Sequence, residues 1–445
     1  METCATTSYQ FRFHRVLSHL PNFMEEILAM AYRNFVFFLP VCVTLVMGCA
    51  PKPRPTAQQA IDFTQPLPDG QLALRKISPA EYPDFSKSLG RTNLANLRQS
   101  VQNSLAYLSR PSSQTKYPYL DITHDRAVAS LQAMLALIDG GGFAQPAAQF
   151  NQMIADRFEV YQSIGAPRPD GSGYTNKVLF TGYFTPTYNA SLTRGGEFQF
   201  PIYKRPADLV SDESGDTAYR KLPNGTTGPY PTRQEIESGL LAGQELAWVT
   251  SRWNAYVITV QGSARLRLPD GRIMEVGYAG NNGREYTSPG LRMVADGVID
   301  RKDLSFETMR RYFDWHPDAM DRYLWLNQRT VFFTERPGGP FGALNVPVTA
   351  FATIATDKAV YPPAMPAFLS VPIPATAMQS LPAGSSAGTS MSGSSLDTFM
   401  LDQDRGGAIR SAGRCDIYMG IGQSAEQMSG HQLSAGALYY LAAKP

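Results

Sequence analysis

Charged side chains are scarce in this chain of 445 residues. Lys, Arg, Asp and Glu make up 18 %, and 40 basic residues against 38 acidic ones leave a formal net charge of +2. A protein that holds a polyanion along its backbone needs a strong basic field, so this balance argues against nucleic acid as a partner. With 43 % apolar residues the chain has ample material for buried cores, and its length suggests about two or three domains.

The apolar run near the N-terminus is too short to cross a bilayer comfortably. It covers residues 35–48 after Arg33, and its 14 residues match the hydrophobic region of a signal peptide. It ends at Cys49 in the sequence Val-Met-Gly-Cys, which resembles a bacterial lipobox. We therefore expect residues 1–48 to be a signal region, with Met30 as a candidate true start, and Cys49 to carry lipid. An ordinary signal peptide or a short anchor helix is the alternative.

The segment after this cysteine is predicted to be a tether. The Pro-rich stretch at residues 51–55 indicates stiff, extended chain, and residues 49–80 are expected to form the lipid anchor and tether. The residue after the cysteine is Ala50 and not Asp, which, in what the lipobox resemblance implies, is compatible with sorting to the outer membrane. The protein would then face the periplasm, with the membrane as a partner through its lipid.

Cysteine and histidine are too few and too scattered to suggest a disulfide framework or a metal site. Two of the four cysteines precede Cys49, which is assigned to lipid, so Cys415 is left without a disulfide partner. No two histidines are spaced as metal ligands, and none lies near a cysteine. We expect no metal and no cofactor. The histidines are His14, His19, His124, His316 and His431.

Tyrosine, proline and glycine are plentiful, with 22, 33 and 37 residues, a composition typical of strands and turns. A mainly β fold is therefore expected, except for helices in residues 81–181. There, apolar residues recur at intervals of three and four, which predicts three helices that bury these stripes in a core. The stripes are Leu94, Leu97, Val101, Leu105 and Leu108, then Leu131, Met134, Leu135 and Ile138, and then Phe150, Met153, Ile154 and Phe158.

Beyond residue 165, short apolar segments are separated by Gly, Pro, Asn and Asp. This pattern predicts β-barrels. Residues 257–260 and 330–333 are examples of predicted strands, and strong strand signals extend from 396 to 441.

Two other segments interrupt this β pattern. Residues 304–326 are helical in pattern, and Pro317 is expected to divide them into two helices. Residues 371–395 are rich in Pro, Ser, Gly and Ala, which predicts a mobile surface loop or a short linker between two strands of one domain.

Three aspartates are candidates for chemistry. Asp404 and Asp416 flank a Gly-Gly turn and a basic loop. Two carboxyl groups that meet across a hairpin would raise the pKa of one of them by charge repulsion, and apolar neighbours would act in the same direction. The third, Asp357, lies in a separate segment. Asp in a turn is most often an Asx-turn or a cap, so spacing alone does not establish a catalytic role.

A series of ordered blocks carries a family resemblance. The blocks are TGYFTP at 181–186, GEFQFPIY at 196–203, PTRQEI at 231–236, VQGS at 260–263, YAGNNGREY at 278–286, PVTA at 347–350 and the aspartate segment at 401–422. In this order they resemble the membrane-bound lytic murein transglycosylase A family, and the last block resembles its three-aspartate (3D) domain. The match extends over residues 175–440, and the ordered set is far more specific than any single block.

The resemblance implies a protein of two domains. A double-psi β-barrel would be assembled from sequence on both sides of a smaller inserted β-barrel, with a glycan in the groove between them. Residues 81–181 and 326–445 would form the first domain, and residues 182–325 would form the insert.

The resemblance also implies an activity and a substrate. Enzymes of this family cleave the β-1,4 bond between N-acetylmuramic acid and N-acetylglucosamine in peptidoglycan and leave 1,6-anhydromuramoyl ends. Asp416 falls on the catalytic acid/base, while Asp404 and Asp357 correspond to the other two aspartates, to which we assign supporting roles. Cell-wall synthesis or division proteins are candidate partners. The alternatives are a peptidoglycan-binding lipoprotein without catalysis and an inverting β-glycan hydrolase.

A sugar groove uses aromatic faces for the apolar side of each ring and amide or hydroxyl groups for its hydroxyls. Such residues in the blocks are predicted to bind substrate, although turn formation and barrel packing would also explain them. Phe184 stands where relatives often have tyrosine, and Arg405 follows Asp404 where a small or β-branched residue is common. The predicted substrate-binding residues are Thr181, Tyr183, Gln261, Gly262, Ser263, Tyr278, Asn281, Gly283, Tyr286, Gly406 and Gly407.

Overall fold

The computed structural model describes residues 60–212, 217–374 and 395–445. The predicted signal region, Cys49 and most of the predicted loop at 371–395 lie outside these residues. Among the helices of the described part, none is both long and apolar enough to cross a membrane.

Helices occur near the N-terminus, in the middle of the chain and near the C-terminus. The α-helices are α1 (Leu94–Leu108), α2 (His124–Asp139), α3 (Ala147–Arg157), α4 (Arg233–Glu235), α5 (Arg252–Gln261), α6 (Pro289–Ala295), α7 (Phe306–Trp315), α8 (Pro317–Leu324) and α9 (Gln423–His431). Short 3-10 helices cover Pro79–Glu81, Phe85–Ser88, Pro111–Lys116, Gly142–Ala144 and Arg301–Asp303, and a π-helix covers Ile236–Leu240.

The three predicted N-terminal helices are confirmed as α1, α2 and α3. The side chains of Asn93 and Thr123 accept hydrogen bonds from first-turn amides of α1 and α2, which satisfies donors that helix geometry leaves unpaired. The third prediction was wrong at its end, because α3 stops at Arg157 and Phe158 begins a strand. The break at Pro317 is confirmed, since proline occupies the first position of α8.

The strands are distributed over almost the whole described chain, which confirms a mainly β fold with N-terminal helices. They are β1 (Leu74–Lys76), β2 (Phe158–Ser163), β3 (Val178–Thr185), β4 (Thr187–Ser191), β5 (Phe200–Tyr203), β6 (Leu209–Ser211), β7 (Ala218–Lys221), β8 (Thr227–Pro229), β9 (Glu245–Val249), β10 (Ser263–Arg267), β11 (Ile273–Asn281), β12 (Val331–Glu335), β13 (Thr353–Ala355), β14 (Pro366–Pro372), β15 (Ser395–Asp404), β16 (Arg414–Ile421) and β17 (Leu433–Ala443).

The largest sheet combines strands from both ends of the described chain. Its order is β1-β2-β17-β14-β15-β13-β16-β3, and β3 also pairs with the first residues of β17. Two of its inner pairs, β13 with β15 and β16 with β3, are parallel. β3 is thereby held between β16 and β17 although about 230 residues of sequence separate it from β16.

Burial on both faces explains the composition of this sheet. β14 and β15 are buried along almost their whole length, and α1 contacts β15 while α2 contacts β17. Strands covered on both sides have continuous apolar runs instead of alternation. The resulting core includes Leu97, Leu131 and Phe399, all fully buried.

The middle of the chain forms a second sheet with its own core. The order is β12-β11-β10-β4-β9-β5, and an isolated bridge pairs Lys204 with Phe333. A small third sheet has the order β6-β7-β8. The apolar core of the second sheet includes Ile202, Val249 and Leu266.

Two sequence predictions of strands were wrong. Residues 257–260 belong to α5, where the Ser251 side chain caps the first turn and Trp253, Tyr256 and Val257 form one buried face. In a helix, buried residues are separated by partly exposed ones. The apolar run at 257–260 is therefore short and looks like a strand in the sequence. The continuous strand signal at 396–441 also contained a helix, α9, between β16 and β17.

Candidate active site

Asp416 lies on β16 between two neighbouring strands. It is paired with Ala355 of β13 on one side and with Thr181 of β3 on the other. Its carboxylate accepts a short hydrogen bond from the Thr181 hydroxyl. The side chain keeps 17 % of its exposure, so this carboxyl is enclosed and still reachable from solvent.

Arg414 is the charged partner of Asp416. Alternation along a strand places residues two apart on the same face of a sheet. Nη2 of Arg414 lies 3.3 Å from Oδ1 of Asp416 and donates to Oγ1 of Thr181 at 3.1 Å. The basic loop was noted in the sequence, but this contact was not predicted, because it depends on the register between β16 and β3.

Asp404 ends β15 and receives several hydrogen bonds. The Tyr183 hydroxyl donates to Oδ2 at 2.9 Å, and the amides of Ala343 and Arg405 donate to Oδ1 at 2.7 Å and 2.8 Å. Burial raises the pKa of the Asp404 carboxyl, while these three hydrogen bonds act against the rise.

The predicted hairpin between the two aspartates was wrong. β13 lies between β15 and β16, pairing with β15 in parallel and with β16 antiparallel. Asp404 and Asp416 are therefore on strands that are not hydrogen-bonded to each other. The raised pKa of Asp404 comes first from burial, and not from the charge repulsion that the sequence suggested.

The Gln261, Gly262 and Ser263 block joins the second sheet to β3. Oε1 of Gln261 accepts a hydrogen bond from the Phe184 amide at 3.1 Å. Gly262 ends α5 with a φ of 78°, a conformation that suits glycine. The Ser263 and Thr185 hydroxyls are 3.2 Å apart. The block thus lies beside the strand that carries Thr181 and Tyr183.

Tyr418 continues this polar network. Its hydroxyl is 2.9 Å from Oγ1 of Thr185, and its ring centroid is 5.1 Å from that of Tyr183. The register pairs Tyr418 with Tyr183 just as it pairs Asp416 with Thr181. Hydroxyl and aromatic groups from β3 and β16 are therefore grouped next to Asp416, toward the C-terminal ends of these two parallel strands.

Tyr278, Asn281 and Gly283 form a local group at the end of β11. Nδ2 of Asn281 donates to the Tyr278 hydroxyl at 2.6 Å, and Oδ1 of Asn281 accepts from the Gly283 amide at 2.7 Å. Gly283 has a φ of 68°, and a Cβ there would lie 2.6 Å from the Ala218 carbonyl oxygen. These contacts explain the block by turn geometry, and its predicted sugar contacts stay a prediction.

Tyr286 is the last predicted substrate-binding residue of the 278–286 block. Burial raises the pKa of its phenol, and hydrogen bonds with Ser288 and Tyr256 together with the positive charges of Arg233 and Arg414 act in the opposite direction. The place of Tyr286 in a sugar groove stays a prediction.

The remaining predicted residues make packing and turn contacts. A Cβ on Gly406 would lie 3.0 Å from Cδ1 of Ile409, and one on Gly407 would lie 2.9 Å from Nε of Arg329. Asp357 accepts a hydrogen bond from the Ala359 amide at 3.0 Å, which is the turn geometry considered above. Substrate contact by the two glycines and support by Asp357 both stay predictions.

A buried ion pair behind the site was not predicted. The Asp402 carboxylate is fully buried and bonds the Lys358 ammonium, and it accepts hydrogen bonds of 2.7 Å from the hydroxyls of Thr356 and Tyr440. The sequence signal was an aspartate that directly follows the apolar residues Phe399 to Leu401, two positions before Asp404. Within the described residues, no cluster of three or more His, Cys, Asp or Glu side chains could hold a metal ion.

Two family matches cover more than half of the chain. The MltA specific insert domain matches residues 179–334, and the 3D domain matches residues 352–442. The first range extends from β3 into β12, and the second contains Asp404 and Asp416.

Similarity to known proteins extends over nearly the full length. Membrane-bound lytic murein transglycosylase A of Escherichia coli K12 is 27 % identical over 414 residues, 91 % of this chain and 94 % of that protein. Its namesake in Vibrio cholerae is 24 % identical over 405 residues, 90 % of this chain and 92 % of that protein.

Solved structures give the same result. The membrane-bound lytic murein transglycosylase of Agrobacterium tumefaciens has a TM-score of 0.66 at 24 % identity, covering 83 % of this chain and 98 % of that one. E. coli MltA with bound chitohexaose has a TM-score of 0.60 at 25 % identity, covering 88 % and 98 %. The chain belongs to the membrane-bound lytic murein transglycosylase A family.

Proposed function

We propose that this protein is a peptidoglycan lytic transglycosylase that cleaves the β-1,4 bond between N-acetylmuramic acid and N-acetylglucosamine and forms 1,6-anhydromuramoyl ends. Its family membership supports this activity. The observation that carries the mechanism is the placement of Asp416, a partly exposed carboxyl bonded to Thr181 and Arg414 within the 3D match.

One carboxyl group can perform both proton transfers. Protonated Asp416 donates to the glycosidic oxygen, which leaves an oxocarbenium-like transition state at C1 of the muramoyl residue. The resulting carboxylate takes the proton of the muramoyl C6 hydroxyl while the oxygen of that hydroxyl bonds to C1. No water is consumed, and the tethered hydroxyl supplies a high effective molarity.

The environment of Asp404 favours a supporting role. An inverting hydrolase needs a second carboxylate that activates water. Both oxygens of Asp404 already accept hydrogen bonds, from Tyr183, Ala343 and Arg405. We assign Asp404 to the positioning of Tyr183 and Asp357 to a support role in its turn.

The domain arrangement is part of the proposal. The series β17-β14-β15-β13-β16-β3 returns to β17 through its pairing with β3, which supports a double-psi β-barrel. The bridge between Lys204 and Phe333 links β5 to the β12 edge, which supports an inserted barrel. Because β12 (Val331–Glu335) belongs to this sheet, the insert would extend past the predicted end at residue 325. The glycan would lie between the two barrels, against Thr181, Tyr183 and the Gln261 block, with the 278–286 block and Gly406 and Gly407 farther along.

We further propose an outer-membrane lipoprotein that faces the periplasm, anchored through Cys49. The lipobox-like sequence and the names of the membrane-bound relatives support this location. Cell-wall synthesis or division proteins are its candidate partners.

Digestion of purified sacculi with the mature protein tests the activity. Mass spectrometry should find muropeptides with anhydro ends, which are one water lighter than reducing ends. Asp416→Asn should abolish their release, with a loss of at least about a thousandfold for removal of the only acid/base, while sacculus binding persists.

Asp170→Asn is the matched control, because Asp170 is an exposed turn residue bonded to Ser172, and its activity should equal that of the wild type. Reducing ends released by the wild type would indicate a hydrolase, and binding without cleavage by the wild type would indicate a tethering lipoprotein. Either result contradicts the proposal.

A further inference from the structure

Arg414 bonds Asp416 and Thr181 through only one of its three guanidinium nitrogens. Nη2 serves both Oδ1 of Asp416 at 3.3 Å and Oγ1 of Thr181 at 3.1 Å. The guanidinium carries five N–H donors in a planar fork. The side chain is 15 % exposed, so most of it is covered by protein.

The Nε donor of Arg414 is buried and has no hydrogen-bond partner among the described residues. Leaving a buried donor unpaired costs about 1–3 kcal/mol, so such an atom beside a catalytic carboxyl points to a partner that arrives with the substrate. Two other side chains share this feature, Arg252 and Gln432. Of the three, Arg414 is the one bonded to Asp416.

The charge of Arg414 also acts on a residue of the 278–286 block. Its positive charge acts on the phenol of Tyr286 in the middle segment. Tyr286 belongs to the segment that we propose as the other side of the glycan groove.

We propose that Arg414 binds a carbonyl or carboxylate oxygen of the sugar whose glycosidic bond Asp416 protonates. The inference rests on the proposed function, because it takes a muramoyl residue to occupy that position. A guanidinium pairs well with planar oxygen acceptors through two adjacent N–H groups. Such an oxygen has two sources: the 2-acetamido carbonyl, which both sugars carry, and the 3-O-lactyl group, which only the muramoyl residue carries.

The test compares the mature protein with Arg414→Gln on two ligands. Peptidoglycan glycan strands give kcat and KM from the release of anhydro ends, and chitohexaose, which lacks lactyl groups, gives a Kd by calorimetry. We expect KM for glycan strands to rise at least about tenfold, which corresponds to one lost charged hydrogen bond. An unchanged Kd for chitohexaose then identifies the lactyl group, and a Kd raised by the same factor identifies the acetamido carbonyl.

A second variant separates the effect of the charge of Arg414 from that of its planar shape, and a control tests whether the effect is specific to this arginine. Arg414→Lys keeps the charge beside Asp416 and removes the planar fork, so KM should rise in this variant as well, and thermal unfolding confirms that each variant is folded. Arg267→Gln is the matched control, since Arg267 is an exposed residue that bonds Asn189.

A fall in kcat with KM and Kd both unchanged would mean that Arg414 acts only on Asp416, and the inference would be wrong. The same holds if Arg267→Gln raises KM equally. If the wild type releases no anhydro ends, the proposed function fails instead, and the chitohexaose titration still reports on Arg414.

Discussion

The charged residues behind the site form a network that a substitution can unbalance. The side chain of Asp402 is fully buried, and that of Lys358 is 12 % exposed. The same ammonium lowers the pKa of Asp404, although burial outweighs it. A single lysine thus stabilises charge at two carboxyl groups of β15, one structural and one next to Tyr183.

Lys358→Met tests this network. It leaves the Asp402 carboxylate buried without its cation, and breaking a buried pair in this way costs about 3–5 kcal/mol. The free energy of unfolding in urea should fall by that amount. The double variant Lys358→Met with Asp402→Asn should regain at least half of the loss, and a single-variant loss below about 1 kcal/mol, typical of a surface pair, would contradict the prediction.

Asp404 should make stability depend on pH. Its pKa is raised above the ordinary 3.8, so between that value and the raised pKa the folded state holds a proton that the unfolded state has released. The contribution of Asp404 to stability is therefore present below pH 3.8 and is lost as pH rises through the folded pKa. The free energy of unfolding of the wild type minus that of Asp404→Asn should therefore fall as the pH rises from 3.8 to the raised pKa.

Asp170→Asn provides a control of opposite sign, measured by urea unfolding between about pH 3 and 7. Hydrogen bonds from Ser172 lower the pKa of Asp170, so its contribution is present at higher pH and is lost as pH falls. If the contributions of Asp404 and Asp170 to the unfolding free energy changed in the same direction with pH, the assignment for Asp404 would be contradicted.

At the scale of elements, close packing of α9 on β3 controls the geometry of the site. Gly182 lies between Thr181 and Tyr183, and a Cβ there would be 2.7 Å from Cα of Ser429 in α9. Real Cβ atoms do not approach backbone so closely. Glycine at this position allows the helix to contact the strand directly.

Gly182→Ala should therefore displace α9 or bend β3. Overpacking of this kind costs about 1–3 kcal/mol, visible as a lower unfolding midpoint, and a shift of Thr181 against Asp416 should lower kcat as well. Gly195→Ala is the matched control, since a Cβ there has open space. Equal midpoints for the two variants would refute the packing argument.

The success of element prediction depended on local signals. Pro317 defined the boundary between α7 and α8, because proline lacks the amide that a helix interior needs. The signal failed at residues 257–260 and at α9, where short apolar runs fit either a strand or a helix. Tertiary burial resolves such cases, and it is invisible in a short window of sequence.

At the scale of the whole molecule, one buried arginine holds several distant segments together. Arg233 is almost fully buried. Its Nε donates to the carbonyl of Asn327 at 2.9 Å, and its Nη2 donates to the Arg329 carbonyl. Its Nη1 also donates to the Thr259 hydroxyl at 3.0 Å, and its guanidinium lies 4.9 Å from the Tyr256 ring centroid. The middle segment is thereby fixed to the chain that leads back to the large sheet.

Arg233→Lys should be destabilising despite the conserved charge. Lysine lacks the planar fork, so buried carbonyls lose donors at a cost of about 2–3 kcal/mol, measured by urea unfolding. Activity should fall too, because the middle segment would no longer be held in a fixed position relative to the large sheet. Arg272→Lys, at an exposed pair with Asp270, should leave the midpoint unchanged, and an unchanged midpoint in Arg233→Lys would disprove this role.

Local patterns in the sequence determined the three N-terminal helices, the mainly β composition, the family and the aspartates of the 3D segment. Tertiary structure alone decided that β13 separates Asp404 from Asp416, that Thr181 and Arg414 meet at Asp416, and that Lys358 neutralises Asp402. Helix and strand signals arise from neighbours a few residues apart, whereas these contacts join residues whose proximity depends on which strands pair and in which register.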